Sequence, residues 1–251
     1  MKKLIVANWK LYVNRSDQAL KLLKSTVRAS KMGSGVKIVI CAPFLMVPTV
    51  NAIIKRSSIS TGAQNLSEGT QGAFTGEVSA HLLKDYGVEY VIIGHSERRY
   101  IFDETDEVVV QKLIAASKEG LKPILCVGEQ KRVGNWKKTL LNQVSASIKG
   151  LDKKYIAKLI IAYEPVWAIG TGNADTPQDA KEAIIEIRKV LARRIGSKAA
   201  ANIRMLYGGS VTSKNIANFI SSAEIGGALI GRASTNPKDF ALIIKKTALL
   251  K

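Results

Sequence analysis

Short β-branched or apolar runs recur along this chain, at positions 4–7, 37–41, 59–63, 90–93, 123–127, 159–163, 204–207 and 227–230. Runs this short, without sustained alternation of apolar and polar residues, suit strands buried on both faces. The segments between them have helical period and physical start and stop signals. The clearest is predicted over 177–194: Thr176 stands at the cap position and Pro177 in the first turn. Ala180, Ala183, Ile184, Ile187 and Leu191 form one apolar stripe, and Gly196 ends the helix. A second is predicted over about 105–118, with Asp106 and Glu107 in its first turn, Leu113 and Ile114 on its apolar side and Gly120 at its end. Asn236-Pro237 opens a third, which carries Phe240 and Ile243.

Buried strands alternating with amphipathic helices predict a parallel sheet covered by helices, an α/β protein. Eight such units imply closure into a barrel, with an open doubly wound sheet as the alternative. A length of 251 residues permits one barrel domain or two smaller units. No Pro/Gly/Ser-rich linker, low-complexity tract or shift of composition divides the chain, so one domain over 1–251 is expected. Met1-Lys2-Lys3 ahead of the run 4–7 imitates a secretory leader. Four apolar residues fall short of the usual apolar region of about 7–15, and a first strand is expected there.

Composition narrows the function classes. No apolar run approaches the roughly 18 residues of a membrane span, so a water-soluble protein without a membrane partner is expected. Cys41 and Cys126 each close an apolar run, where small buried side chains belong; this favours a reduced, cytoplasmic protein over a disulfide framework. His81 and His95 make no zinc spacing with them, so no metal is expected. Thirty-eight Lys+Arg against twenty Asp+Glu give a net charge of +18, which raises the possibility of a polyanionic partner. The basic residues, among them Lys21, Lys24, Arg28, Lys137, Lys138, Arg188, Arg193 and Arg194, are dispersed, and no aromatic RNA-binding motif accompanies them. They are read as solvated faces, and nucleic acid is not expected as a partner. A positive field would also steer a phosphorylated small molecule inward.

In a barrel of this kind the chemistry lies just after the strands. Four segments stand there: Asn8-Trp9-Lys10, Gly94-His95-Ser96-Glu97-Arg98-Arg99, the stretch from Tyr163-Glu164-Pro165 through Ile169-Gly170-Thr171-Gly172, and Tyr207-Gly208-Gly209-Ser210-Val211. Singly, each has an ordinary explanation. A histidine after a strand is usually structural, a Glu-Pro usually caps a turn, and Gly-Gly-Ser is common punctuation. Their joint order, each at the mouth of its own strand, is what carries weight.

Together the motifs resemble the triosephosphate isomerase family over almost the whole chain. The resemblance implies a single-domain (β/α)8 TIM barrel that interconverts two triose phosphates without metal or cofactor. It implies Glu164 as the base that moves a carbon-bound proton, His95 as a neutral electrophile and Lys10 as a fixed positive charge placed by Asn8. Glu97 would hold the network together; an ion pair with Arg98 or Arg99 is the alternative. The substrate phosphate would sit on backbone N–H groups at Gly170, Ser210, Gly231 and Arg232. The connection 164–176 would close over the substrate as a lid. Residues 72–77, around Thr75, resemble the family's long third loop, which implies a homodimer.

Four departures accompany the resemblance. Leu11-Tyr12 stands where the family commonly has Met-Asn, and Asn173-Ala174-Asp175 where a lysine usually opens the far end of the lid. Residues 130–138 form a shorter, more basic loop than usual. The last phosphate turn reads Gly231-Arg232-Ala233-Ser234 where Gly-Gly-Ala-Ser is usual. The Arg232 side chain would strengthen anion binding, crowd the pocket or face solvent, and left-handed backbone there would be costly for arginine.

Overall fold

A computed structural model describes residues 2–33, 35–168 and 175–250. All eight expected runs are strands: β1 (Lys3–Asn8), β2 (Val36–Ala42), β3 (Ile59–Ala63), β4 (Tyr90–Ile93), β5 (Lys122–Val127), β6 (Ile160–Tyr163), β7 (Arg204–Tyr207) and β8 (Gly227–Ile230). They are parallel and pair in sequence order into a closed barrel, so the open-sheet alternative is excluded. The seam joins β1 to β8, with Leu4 opposite Gly227 and Ala7 opposite Ile230. Backbone pairing outlasts the apolar runs at several ends: Lys3 lies opposite Val36 and Asn8 opposite Cys41. Leu159, placed by its apolarity in the sixth run, instead precedes β6, and its N–H donates to the Ile156 carbonyl in a turn.

Among the described residues the helices are α1 (Ser16–Met32), α2 (Val47–Ile54), α3 (Ala80–Asp85), α4 (Ser96–Ile101), α5 (Asp106–Lys118), α6 (Trp136–Ser147), α7 (Lys153–Ile156), α8 (Pro177–Ile195), α9 (Ser197–Asn202), α10 (Ile216–Ile220) and α11 (Pro237–Leu249). The caps are those the sequence requires. Thr176 Oγ1 accepts from the Asp179 N–H at 3.1 Å, and the α8 stripe of Ala180, Ala183, Ile184, Ile187 and Leu191 is buried. Thr105 caps α5 and Asn236 caps α11 in the same way. The α5 stripe differs in one respect: Ile114 is only partly buried, and Lys112 is buried because Glu104 and Asn65 satisfy its ammonium.

Strand side chains divide by parity. Ile5, Ala7, Ile38 and Ile40 point outward and pack against the helices, where each buried aliphatic side chain contributes about 1.5–3 kcal/mol. Leu4, Val6, Val39, Cys41, Ile92, Ile124, Cys126 and Leu206 fill the interior with others like them, so the barrel is a packed core. Gly62 of β3 leaves space for them, since a Cβ there would lie 2.5 Å from Cys41 Sγ and 2.9 Å from a Val39 methyl. Both cysteines are free and buried, and burial pushes both thiols well above their usual range, which leaves them inert. Among the described residues, no helix is long and apolar enough to cross a membrane.

Candidate active site

Lys10 follows β1 in left-handed backbone, with φ 48°, a conformation that costs a lysine about 1–2 kcal/mol. Two neighbours hold it there. Asn8 Oδ1 accepts the Lys10 N–H at 3.0 Å, and Gln64 Nε2 donates to the carbonyls of Lys10 and Cys41, both at 3.0 Å. Such strain persists where the surroundings over-determine the backbone, commonly at functional sites. The side chain then reaches Glu97, with Nζ 2.7 Å from Oε1. Arg98 pairs with Glu104 and Arg99 with Asp106, so neither supplies the local ion pair that was the alternative for Glu97.

His95 is the cap of α4, and its Nδ1 accepts the Glu97 N–H at 3.2 Å. An Nδ1 that accepts carries no proton, which leaves Nε2 as the N–H side of a neutral ring. That Nε2 lies 3.2 Å from Glu164 Oε1, and the Ser96 N–H donates to Glu164 Oε2 at 3.0 Å. Glu164 is 2 % exposed. Its own N–H donates to the Val127 carbonyl at 2.8 Å. Two glycines make room for it: a Cβ on Gly128 would lie 1.6 Å from the Glu164 carbonyl oxygen, and one on Gly208 2.9 Å from Glu164 Cγ. The strand ends after β5 and β7 therefore need glycine where they pass the base.

Asn8, Lys10, His95, Glu164 and Gly208 line a cavity of about 860 Å³ at the C-terminal end of the barrel, with Ser210, Gly231 and Arg232 also on its wall. Ser210 Oγ donates to the Ala168 carbonyl at 2.8 Å, and its own carbonyl accepts from Asn215 Nδ2 at 2.9 Å. Gly231 leads into a 3-10 turn, Arg232–Thr235, whose first N–H groups have no acceptor within the turn. Arg232 thus avoids the left-handed backbone that would have been costly. Its guanidinium lies 5.8 Å from the Tyr12 ring centroid, so two of the four departures meet at the rim of one cavity. Glu97 is not on the wall and touches the cavity through Lys10. Gly170, the lid tip and Asn173-Ala174 lie outside the described residues.

Three groups that shape the site were not singled out from sequence: Gln64, the Ser96 N–H and Glu129. Glu129 is buried, and its Oε1 accepts from Tyr163 Oη at 2.8 Å and from Trp167 Nε1 at 3.0 Å. Gln64 and Glu129 stand just after β3 and β5, and the strand-end rule that selected the four motifs would have found them too.

A family model described as triosephosphate isomerase matches residues 3–247. Among similar proteins, the triosephosphate isomerase of Symbiobacterium thermophilum is 44 % identical over 248 residues, which covers 98 % of this chain and 96 % of that one. The triosephosphate isomerase of Caldanaerobacter subterraneus subsp. tengcongensis is 44 % identical over 244 residues, 96 % and 98 % of the two chains. That of Geotalea uraniireducens is 45 % identical over 247 residues, 97 % and 98 %.

Proposed function

The chain belongs to the triosephosphate isomerase family, and on that premise we propose that one barrel over 1–251 interconverts dihydroxyacetone phosphate and D-glyceraldehyde 3-phosphate, the step shared by glycolysis and gluconeogenesis. Glu164 removes the proton on the carbon beside the carbonyl and returns it to the neighbouring carbon, through an enediolate. His95 Nε2–H and Lys10 Nζ face the oxygen on which negative charge develops. Glu97 keeps Lys10 in place and Asn8 sets its backbone. The phosphate rests on N–H groups of Ser210, Gly231 and Arg232, with Gly170 added by resemblance. No metal or cofactor takes part.

The observation that carries this reading is the bond between Glu164 Oε1 and His95 Nε2 at 3.2 Å on the wall of the cavity. Base and electrophile satisfy each other, and a substrate entering between them takes over both. A coupled turnover assay of wild type and Glu164→Asp tests it. The variant should lose about 10²–10⁴-fold in kcat with little change in KM. No wild-type turnover, or full turnover in the variant, would sink the assignment.

The reading includes a cytoplasmic homodimer. The two cysteines are free and buried. Exposed apolar side chains follow four consecutive strands: Leu11 after β1, Leu45 after β2, Phe74 after β3 and Ile101 after β4. Leu45 is 96 % exposed. Loops after adjacent strands share one side of the barrel mouth, and apolar residues gathered there suit a second copy whose Thr75 loop meets the first.

A further inference from the structure

Arg132, in the short basic loop after β5, is the most heavily engaged cation near the site. Its guanidinium lies 3.6 Å from Asp175 Oδ1, 3.2 Å from Asp179 Oδ1 and 3.5 Å from Glu182 Oε2. It also donates to Tyr163 Oη at 3.3 Å and stacks 4.1 Å from the Trp136 ring centroid. Tyr163 Oη in turn donates to Glu129, the acceptor of Trp167 Nε1, and the Val166 N–H donates to the Glu129 carbonyl at 3.1 Å. One guanidinium therefore grips both shoulders of the β6-to-α8 connection. Through Tyr163 and Glu129 it holds residues 163–167, with Glu164 among them. Through Asp175 and Asp179 it holds the start of α8.

A surface ion pair does not look like this. The Arg132 side chain is only 15 % exposed and that of Asp175 is fully covered. Asp175 Oδ1 also accepts the Thr176 N–H at 2.9 Å, so the carboxylate is tied to the start of α8 as well as to Arg132. Burying a carboxylate costs free energy, and an apolar or small residue in its place would avoid that cost. Neither Arg132 nor Asp175 touches the cavity.

We propose that Arg132 and Asp175 are positioning residues for the base: their pairing fixes the two ends of the connection that carries Glu164, and thereby the approach of its carboxylate to the substrate. The proposal rests on Glu164 being the base. Misplacing a reacting group by about 1 Å costs up to about 100-fold, so the effect belongs in kcat. The other titratable groups around Asp175 are Glu129, Asp179, Tyr163 and Tyr207. Burial pushes Asp175 up to about 6, with Arg132 opposing, so its protonation should loosen the brace below that pH.

Steady-state turnover of wild type, Arg132→Ala, Arg132→Lys and Asp175→Asn, with melting curves on the same samples, tests this. Arg132→Ala should lose about 10- to 100-fold in kcat with KM within about threefold, and Arg132→Lys should recover part of it. Asp175→Asn should lose about three- to tenfold at pH 8 without losing thermal stability. The kcat ratio of wild type to Asp175→Asn should climb between pH 5 and 7 and then level, since any titration common to both proteins cancels. Inactive wild type would defeat the isomerase reading itself. Active wild type with unchanged kcat in Arg132→Ala would overturn this proposal alone. So would losses that follow the folded fraction, with no rescue by lysine and a flat pH ratio.

Discussion

Two charged clusters flank the mouth of this barrel, and they are built on opposite plans. Around Arg132, four carboxylates, Glu129, Asp175, Asp179 and Glu182, lie within 4.0 Å of one guanidinium. Around Glu164 stand the neutral ring of His95, the Ser96 N–H and the Cys126 thiol. Lys10, the cation of that side, is tied to Glu97 instead. A permanent cation beside a carboxylate favours its charged form, although at Asp175 burial outweighs Arg132 and pushes the carboxyl up to about 6. The difference teaches which cluster does chemistry: the carboxylate that must accept a proton is held by groups a substrate can displace, while those around Arg132 are tied to a cation that does not line the cavity.

The largest expected effect comes from removing the cation on the chemical side. Lys10→Met takes the ammonium out of the cavity and leaves Glu97, which is 41 % exposed and able to turn to water. We expect a loss of about 10³-fold in kcat/KM, comparable to deleting a charge-stabilising donor, with a nearly unchanged melting temperature. If Lys10→Met instead lowered the melting temperature and kept its turnover, the two clusters would be alike in kind, and the contrast drawn here would fail.

How much of this contrast was legible in the sequence follows from its two halves. Asn8, Lys10, His95, Glu97 and Glu164 lie in segments at or just beyond strand ends, which apolar periodicity marks, but their roles are legible only through the resemblance of the four motifs to the family; Gln64 and Glu129 also follow strands, and position alone does not single them out. The barrel itself was legible from that periodicity, with errors of a residue or two where backbone pairing runs past the apolar residues. The Arg132 cluster was not. Arg132 lies in a loop whose departure in length was visible but whose course depends on what it packs against. Asp175 was noticed only as one of three unusual residues at the far end of the lid. Nothing periodic links the two positions, because the ion pair joins loops after different strands. Asp175 read by itself is an unremarkable polar loop residue, and burial is what changes its chemistry.

The second effect sharpens the contrast through pH. Asp175 is pushed up to about 6 in the folded chain by burial, against about 3.8 in the unfolded one. Between those values the folded state binds more protons, so stability falls as pH rises. The Asp175 contribution is complete below about pH 4 and is lost on passing through about 6. Asp175→Asn should therefore gain about 1–2 kcal/mol over wild type at pH 8, about 2–8 °C in Tm, and the gain should shrink toward zero below about pH 4. Thermal melts across that range decide it. A variant less stable than wild type at pH 8 would mean that the Arg132 attraction outweighs the burial cost.

The smallest expected effect lies at the rim of the cavity. Arg232 has no carboxylate partner among the described residues and lies only beside the Tyr12 ring. It is exposed, so water screens its charge, and an exposed cation–π contact contributes about 0.5–1 kcal/mol. Its backbone N–H is retained in any substitution, and Gly231 still leads into the 3-10 turn. Arg232→Gly should thus raise KM about three- to fivefold and weaken inhibition by inorganic phosphate by the same factor, leaving kcat within about twofold. The increase should fade at high ionic strength, because a solvent-exposed charge acts over about a Debye length. Tighter phosphate inhibition in Arg232→Gly would show instead that the side chain crowds the pocket, and the rim cation would then belong to neither plan.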